Sequence, residues 1–321
     1  MPTHVEKKEK KSRIVEIDFI RGVLIWFMIV DHLFFDFANV VTQFFTSSDW
    51  GMMQRLYNLQ TIGFNYWQWP LRIAVRFIIL CLFFFISGIS TYFSKNNLKR
   101  GLIIFGVGAL VNLAFFVVGK ILDDGSYCFF GAISCFGTSI LIYWLLRFLF
   151  KKICPNHESD FKWIALALGV VVVAIGMIFW RIELNGPALP GSEQKEIIDH
   201  LSWDNFMQVI IGLKEDAPGS MDWLPLFPFM GFLFIGSFIG EVFYKDRKSF
   251  FKPLPTRPSK DDATIKKVGY YGGIMPYKGI KNVITFSGHY SLFFYILHQV
   301  VLIAILGIVL LSMGYKLNFN L

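Results

Sequence analysis

The run from Glu16 to Asp36 is apolar enough to enter a lipid bilayer, yet it carries Asp18, Arg21, Asp31, His32 and Asp36. Ionisable side chains in hydrocarbon are expensive, and where they occur they turn toward a protein interior and mark a working site. At about 100° per residue, Asp18, Arg21, His32 and Asp36 fall within an arc of about 60° on one helical face, while Asp31 points elsewhere. Arg21 and His32 then lie about 16 Å apart along the axis. A helix of this kind cannot stand alone in lipid, because its charged stripe requires other helices to cover it.

Further apolar runs supply them. With 17–38, stretches at 71–93, 100–120, 128–149, 162–181, 223–243 and 288–313 each approach the roughly 20 residues that a membrane-crossing helix needs. The runs are continuous, not alternating with a period of two, which argues against the strands of a membrane barrel. The expected fold is an all-α polytopic membrane helix bundle of about seven transmembrane helices. Its expected organisation is a basic cytoplasmic tail over 1–16, a single membrane domain over 17–313 with a flexible cytoplasmic loop at 244–281, and an outer tail at 314–321. The composition agrees: 55% of the residues are hydrophobic and the mean hydropathy is +0.52.

The net charge of +8 raises the question of nucleic acid, which its distribution answers. Lys7, Lys8, Lys10, Lys11 and Arg13 precede the first run. Lys95, Lys99 and Arg100 follow the second, and Arg147, Lys151, Lys152 and Lys162 follow the fourth. A further ten lie between Lys245 and Lys281, so 22 of the 31 basic residues fall on one side. The opposite loops carry Asp123, Asp124, Glu183, Glu193, Glu196, Asp199, Asp204, Glu215, Asp216 and Asp222. By the positive-inside rule the N-terminus is cytoplasmic and, after seven crossings, the C-terminus is outside. The basic charge is topological, and no nucleic-acid partner is expected. The expected location is the cell (plasma) membrane, with the bilayer itself as a partner.

The first run is too long and too charged for a cleavable signal, and no small-residue cleavage site follows it. Cys81, Cys128, Cys135 and Cys154 lack metal-ligand spacing and are expected as free thiols; no metal is expected. The outer segment 39–70 ends in Tyr66-Trp67-Gln68-Trp69-Pro70, an aromatic belt at the mouth of the second helix. Ile197 to Leu213 fits a short amphipathic helix.

Other helices carry polar stripes. Arg72 and Arg76 lie one turn apart on the second, followed on roughly the same face by Ser87, Ser90 and Thr91. Snorkelling at the outer interface accounts for Arg72, whereas the deeper Arg76 is a candidate for a polar cavity. Ser287, Ser291, Tyr295 and His298 share a face of the last helix, with His289 on the other side in a structural role. Against a functional role stands the interhelical hydrogen bond, a common duty of a membrane histidine. It fits His298 as well as a site does. It fits His32 less well, because charged groups share its face. Asp18 can neutralise Arg21 across one turn, and Gly101, Gly106 and Gly108 fit close helix packing.

Four sequence blocks carry a resemblance. They are Ile17-Asp18-Phe19-Ile20-Arg21-Gly22 with His32 eleven positions after Arg21, the stretch Phe84–Ser90 around Ser87-Gly88, Asn97-Leu98-Lys99-Arg100-Gly101, and Gly288-His289-Tyr290-Ser291-Leu292 continuing to Tyr295-Ile296-Leu297-His298-Gln299. Together they resemble the heparan-α-glucosaminide N-acetyltransferase-like branch of the acyltransferase-3-like membrane superfamily. The resemblance implies an enzyme of the acyl-CoA-dependent O- or N-acyltransferase type. Such an enzyme moves an acyl group, usually acetyl, from cytoplasmic acyl-CoA to a sugar or glycan hydroxyl or amine. The sequence departs from the pattern twice: its helices number fewer than the family's usual ten or eleven, and the outer loop 39–70 has Asp49-Trp50-Gly51 and no histidine. Neither the acceptor specificity nor a loop histidine of the family's lysosomal enzyme therefore carries over.

Thioester acyl transfer needs a base, a stabilised oxyanion and a positioned donor. His32 suits the base by its ordinary pKa, with Asp36 one turn on, or Asp31, to orient or charge-stabilise the imidazole. Arg21, paired with Asp18, suits the arriving donor; Lys99 and Arg100 suit its phosphates, and Arg76 is a further donor-binding candidate. Ser87, Ser291, Tyr295 and His298 are the candidate lining of the substrate pocket. The rival class is a proton-coupled transporter of a small solute that uses the same Asp/Arg/His stripe, against which stands the lack of an internal repeat.

Overall fold

The computed structural model describes residues 14–122, 128, 130–179, 207, 210–212, 222–245 and 276–318. They are overwhelmingly helical. In chain order come α1 (Val15–Asn39), α2 (Val41–Phe44), α3 (Trp50–Trp67), α4 (Pro70–Phe93), α5 (Asn97–Leu122), α6 (Ala132–Ile153), a 3-10 turn (Pro155–Asp160), α7 (Phe161–Phe179), α8 (Phe229–Phe243), α9 (Pro276–His289) and α10 (Ser291–Ser312). The fold is thus the expected all-α membrane bundle. Among the described residues, α4, α5, α6, α7 and α10 are long and apolar enough to cross a membrane, and α8 is a shorter apolar helix. Each of the seven apolar runs contains helix among the described residues, with α1 the one that carries the charged stripe.

The chain divides into two compact units, one made of Met1–Leu33 with Tyr244–Leu306 and the other of Phe34–Phe243 with Gly307–Leu321. In the first, α1 crosses α9 where glycine meets glycine. A β-carbon at Gly22 would run into the Ile284 carbonyl, and one at Gly288 into the Asp18 carbonyl. Two backbones approach this closely only where side chains are absent.

The second unit is built the same way around α4 to α8. A β-carbon at Gly88 would strike Leu233 of α8, and one at Gly236 would strike Phe85 of α4. Gly108 lies against the Ser134 backbone and Gly101 against the Leu141 side chain, so these two serve the α5–α6 packing expected of them. Gly106 does not, because a β-carbon there meets nothing within 4 Å. Gly231 and Gly169 seat α8 on α7. Tyr143, Phe84, Phe229 and Phe234 fill the core between these helices. Phe84 packs at 4.7 Å on Phe136 and 5.6 Å on Phe229, and Tyr143 at 5.7 Å on Phe234.

Two features add to the sequence reading and a third departs from it. The segment 39–70 is mostly helix: Asp49 caps α3 by accepting from the Met52 amide at 2.7 Å. Gln60 ties α3 down by donating to the Ala38 carbonyl and to Thr42 Oγ1. Second, Phe45–Thr46 pairs antiparallel with Lys316–Leu317, while Tyr315 donates to the Met52 carbonyl, so residues 315–317 are tied to the segment before and at the start of α3. Third, the run 288–313 is two helices, since α9 ends at His289 and α10 starts at Ser291, which puts Ser287 and Ser291 on different elements. The four cysteines are free thiols. Most of the segment Ile197 to Leu213 and most of the loop 244–281 lie outside the described residues.

Candidate active site

The charged stripe of α1 faces away from the exposed surface. Ile20, Trp26, Phe27 and Val30 are exposed and fall on the side of α1 opposite Arg21 and His32. In the first unit, Arg21 lies 3.5 Å from Asp18, both largely buried at 13% and 17% side-chain exposure. His289 places Nδ1 3.8 Å from the other oxygen of Asp18, so one carboxylate meets two potential cations. His289 thus touches the Asp18 carboxylate from α9, an ion pair only when the ring is protonated. Its signal in the sequence was its place beside Gly288, the residue that brings α9 onto α1.

His32 and His298 meet in the same unit. Their ring centroids are 4.5 Å apart and the rings are nearly perpendicular, at 86°. Tyr295 lies 5.9 Å from His298, centroid to centroid. Each histidine has its Nδ1 on a carbonyl of its own helix: His32 on Met28 at 2.9 Å, and His298 on Tyr295 at 2.7 Å. A carbonyl only accepts, so both Nδ1 atoms carry hydrogen, and in the neutral rings Nε2 holds the lone pair. The Met28 carbonyl thus helps to orient the His32 ring, beside the orienting or charge-stabilising part expected of Asp36 or Asp31. Asp31 is half-buried, off the stripe, and Ser291 is half-buried on the first turn of α10.

The remaining candidates belong to the second unit. Asp36 is fully buried. Arg72 does not snorkel: it is 4% exposed, with its guanidinium 3.8 Å from the centroid of the Trp67 ring and 5.8 Å from that of Tyr66. Stacking on an indole shields its charge where the interface was expected to hydrate it. Arg76, one turn on, is only half-buried. Ser87 is buried, and its carbonyl accepts from Thr91 Oγ1 at 2.8 Å. Thr91 Oγ1 in turn lies 3.4 Å from Arg100 Nη1, and the Thr91 carbonyl accepts from Asn97 Nδ2 at 3.0 Å. The stripe of α4 thus continues into the start of α5, where Lys99 is exposed and its amide is capped by Asn96 Oδ1.

Five helices among the described residues, long and apolar enough to cross a membrane, define a multi-pass membrane protein. The family described as "Heparan-alpha-glucosaminide N-acetyltransferase, catalytic" matches residues 13–270. The chain belongs to this family of membrane N-acetyltransferases. Asp18, Arg21, His32, Asp36, Arg76, Ser87, Lys99 and Arg100 lie inside the matched stretch, while α9 and α10, with His289 and His298, lie beyond it. No curated protein and no solved structure matches the chain.

Proposed function

We propose that this membrane acetyltransferase takes an acyl group, acetyl in the first instance, from cytoplasmic acyl-CoA and delivers it across the plasma membrane to a hydroxyl or amine of a sugar or envelope glycan. The observation that carries this is the family match over the stretch that holds Arg21 and His32. The Nδ1–H of His32 is committed to Met28, so its Nε2 is the atom that takes the proton of the attacking group. Asp31 and Asp36 contribute negative charge on the same helix as the imidazolium forms. Arg21, held by Asp18, meets an amide or phosphate oxygen of the donor, and Lys99 and Arg100 meet the nucleotide phosphates. Ser291 and Tyr295 in the first unit, and separately Ser87 in the second, are the candidates to touch the acceptor.

The test uses the full-length protein in detergent. CoA and acetyl-CoA should each raise its melting temperature, since a ligand bound only to the folded state must stabilise it. Acetyl-CoA with methyl α-glucosaminide, or with neutral sugars, should release CoA thiol and give the acetylated sugar. No thermal shift at millimolar CoA, with proton-coupled solute uptake by proteoliposomes, would turn the assignment to a transporter.

A further inference from the structure

We infer that His298 is a catalytic residue, the second proton carrier of the reaction, which hands to the departing sulfur the proton that His32 takes from the acceptor. The inference deepens the acyl-transfer reading and rests on it. Its first support is what His298 does with its nitrogens. A histidine kept to join helices donates or accepts across the interface. His298 spends Nδ1 on the Tyr295 carbonyl of its own helix, and its Nε2 is buried with no hydrogen-bond partner among the described residues. Buried polar atoms are nearly always paired, so a lone pair left open beside a second imidazole calls for a use.

The second support is where the ring sits. It packs edge-to-face on His32 at 4.5 Å, from a helix on the far side of the chain from α1 in sequence. Both rings are set by the same device, a carbonyl on Nδ1, which in the neutral ring leaves the lone pair on Nε2. His32 supplies one base, but thioester acyl transfer has a proton to remove and a sulfur to protonate. A second histidine in contact with the first meets the second need.

The step balances. The acceptor N or O bonds to the acyl carbon as His32 Nε2 takes its proton. The C–S bond breaks with its electron pair on sulfur. The proton passes from His32 to His298 Nε2 and from there to sulfur, which leaves as the CoA thiol, and both rings return to their starting tautomer. No further reactant is consumed.

The experiment compares wild type with His298→Ala, His298→Phe and His298→Gln, using acetyl-CoA and methyl α-glucosaminide. Each variant should keep the CoA-induced thermal shift and lose transfer by about 10²–10⁴-fold. Imidazole and substituted imidazoles should restore transfer to His298→Ala in order of their pKa, and leave His298→Phe inactive because its ring fills the space. Wild-type transfer by His298→Phe or His298→Gln would overturn the inference and leave the acyl-transfer reading standing. So would a folded, CoA-binding His298→Ala whose loss no imidazole repairs. Should His298→Ala not fold, the other two variants decide. A wild type that neither binds CoA nor transfers acetyl ends the acyl-transfer reading and this inference with it.

Discussion

Gly22 of α1 and Gly288 of α9 lie back to back, and a β-carbon on Gly288 would also come within 2.6 Å of the Gly22 nitrogen. The obstacles on both sides are backbone, which cannot rotate away as a side chain would. Gly22→Ala and Gly288→Ala should each destabilise the protein by about 1–3 kcal/mol or more, the cost of overpacking a tight contact. Because the Gly288 β-carbon would press on Asp18, both should also weaken CoA binding. Gly106→Ala is the control: its site is open, and the gain in helix propensity favours the alanine by up to about 1 kcal/mol. Melting curves in detergent check all three, and a tolerated Gly288→Ala would mean that the helices separate at little cost.

Much of this was legible in the sequence. Apolar runs give helices because a bilayer leaves the backbone no partner except itself, and the stripe of α1 is visible at helical periodicity. The turns were less legible. The break at Tyr290 falls inside a continuous apolar run and carries no proline, and the two-residue strand pair of Phe45–Thr46 with Lys316–Leu317 is too short to leave a pattern. The candidate site was half legible. Periodicity orders residues around one helix, so it could align Arg21 with His32, but it could not bring His298 from α10 onto His32 or His289 from α9 toward Asp18. Those pairings depend on which backbones approach, and the glycines that permit the approach look alike in sequence: Gly106 and Gly108 differ only in what faces them.

Arg72 stacked on Trp67 tests a different interaction. The guanidinium is buried over the indole at 3.8 Å, and a desolvated cation over tryptophan contributes about 2 kcal/mol. Trp67→Leu should therefore lower stability by about that amount, with the packing loss added. Arg72→Lys should lower it nearly as far, because a compact ammonium lacks the planar stacking face. Equal melting temperatures for wild type and Arg72→Lys would show that charge alone matters at this position.

Asp18 stands between Arg21 and His289, and the two contacts make separate predictions. Arg21→Ala should weaken acyl-CoA binding more than acceptor binding, read as the rise in each Kd. Asp18→Asn should loosen Arg21 without removing it, with a smaller loss of donor affinity than Arg21→Ala. Equal weakening of donor and acceptor by Arg21→Ala would argue against a donor role.

His32 offers the sharpest division between structure and chemistry. Its Nδ1–H bonds the Met28 carbonyl, and its ring packs on His298. His32→Asn keeps a short donor near that carbonyl and removes the base nitrogen, whereas His32→Ala removes both. If the residue only supports the helix, the asparagine should restore what the alanine loses. If it is the base, both variants should insert and fold, both should keep the CoA-induced thermal shift, and both should lose transfer by about 10²–10⁴-fold. The loss should appear in kcat, not in the KM for acetyl-CoA, because proton removal belongs to the transition state and not to donor binding. Transfer at the wild-type rate by purified His32→Asn would remove His32 from the reaction.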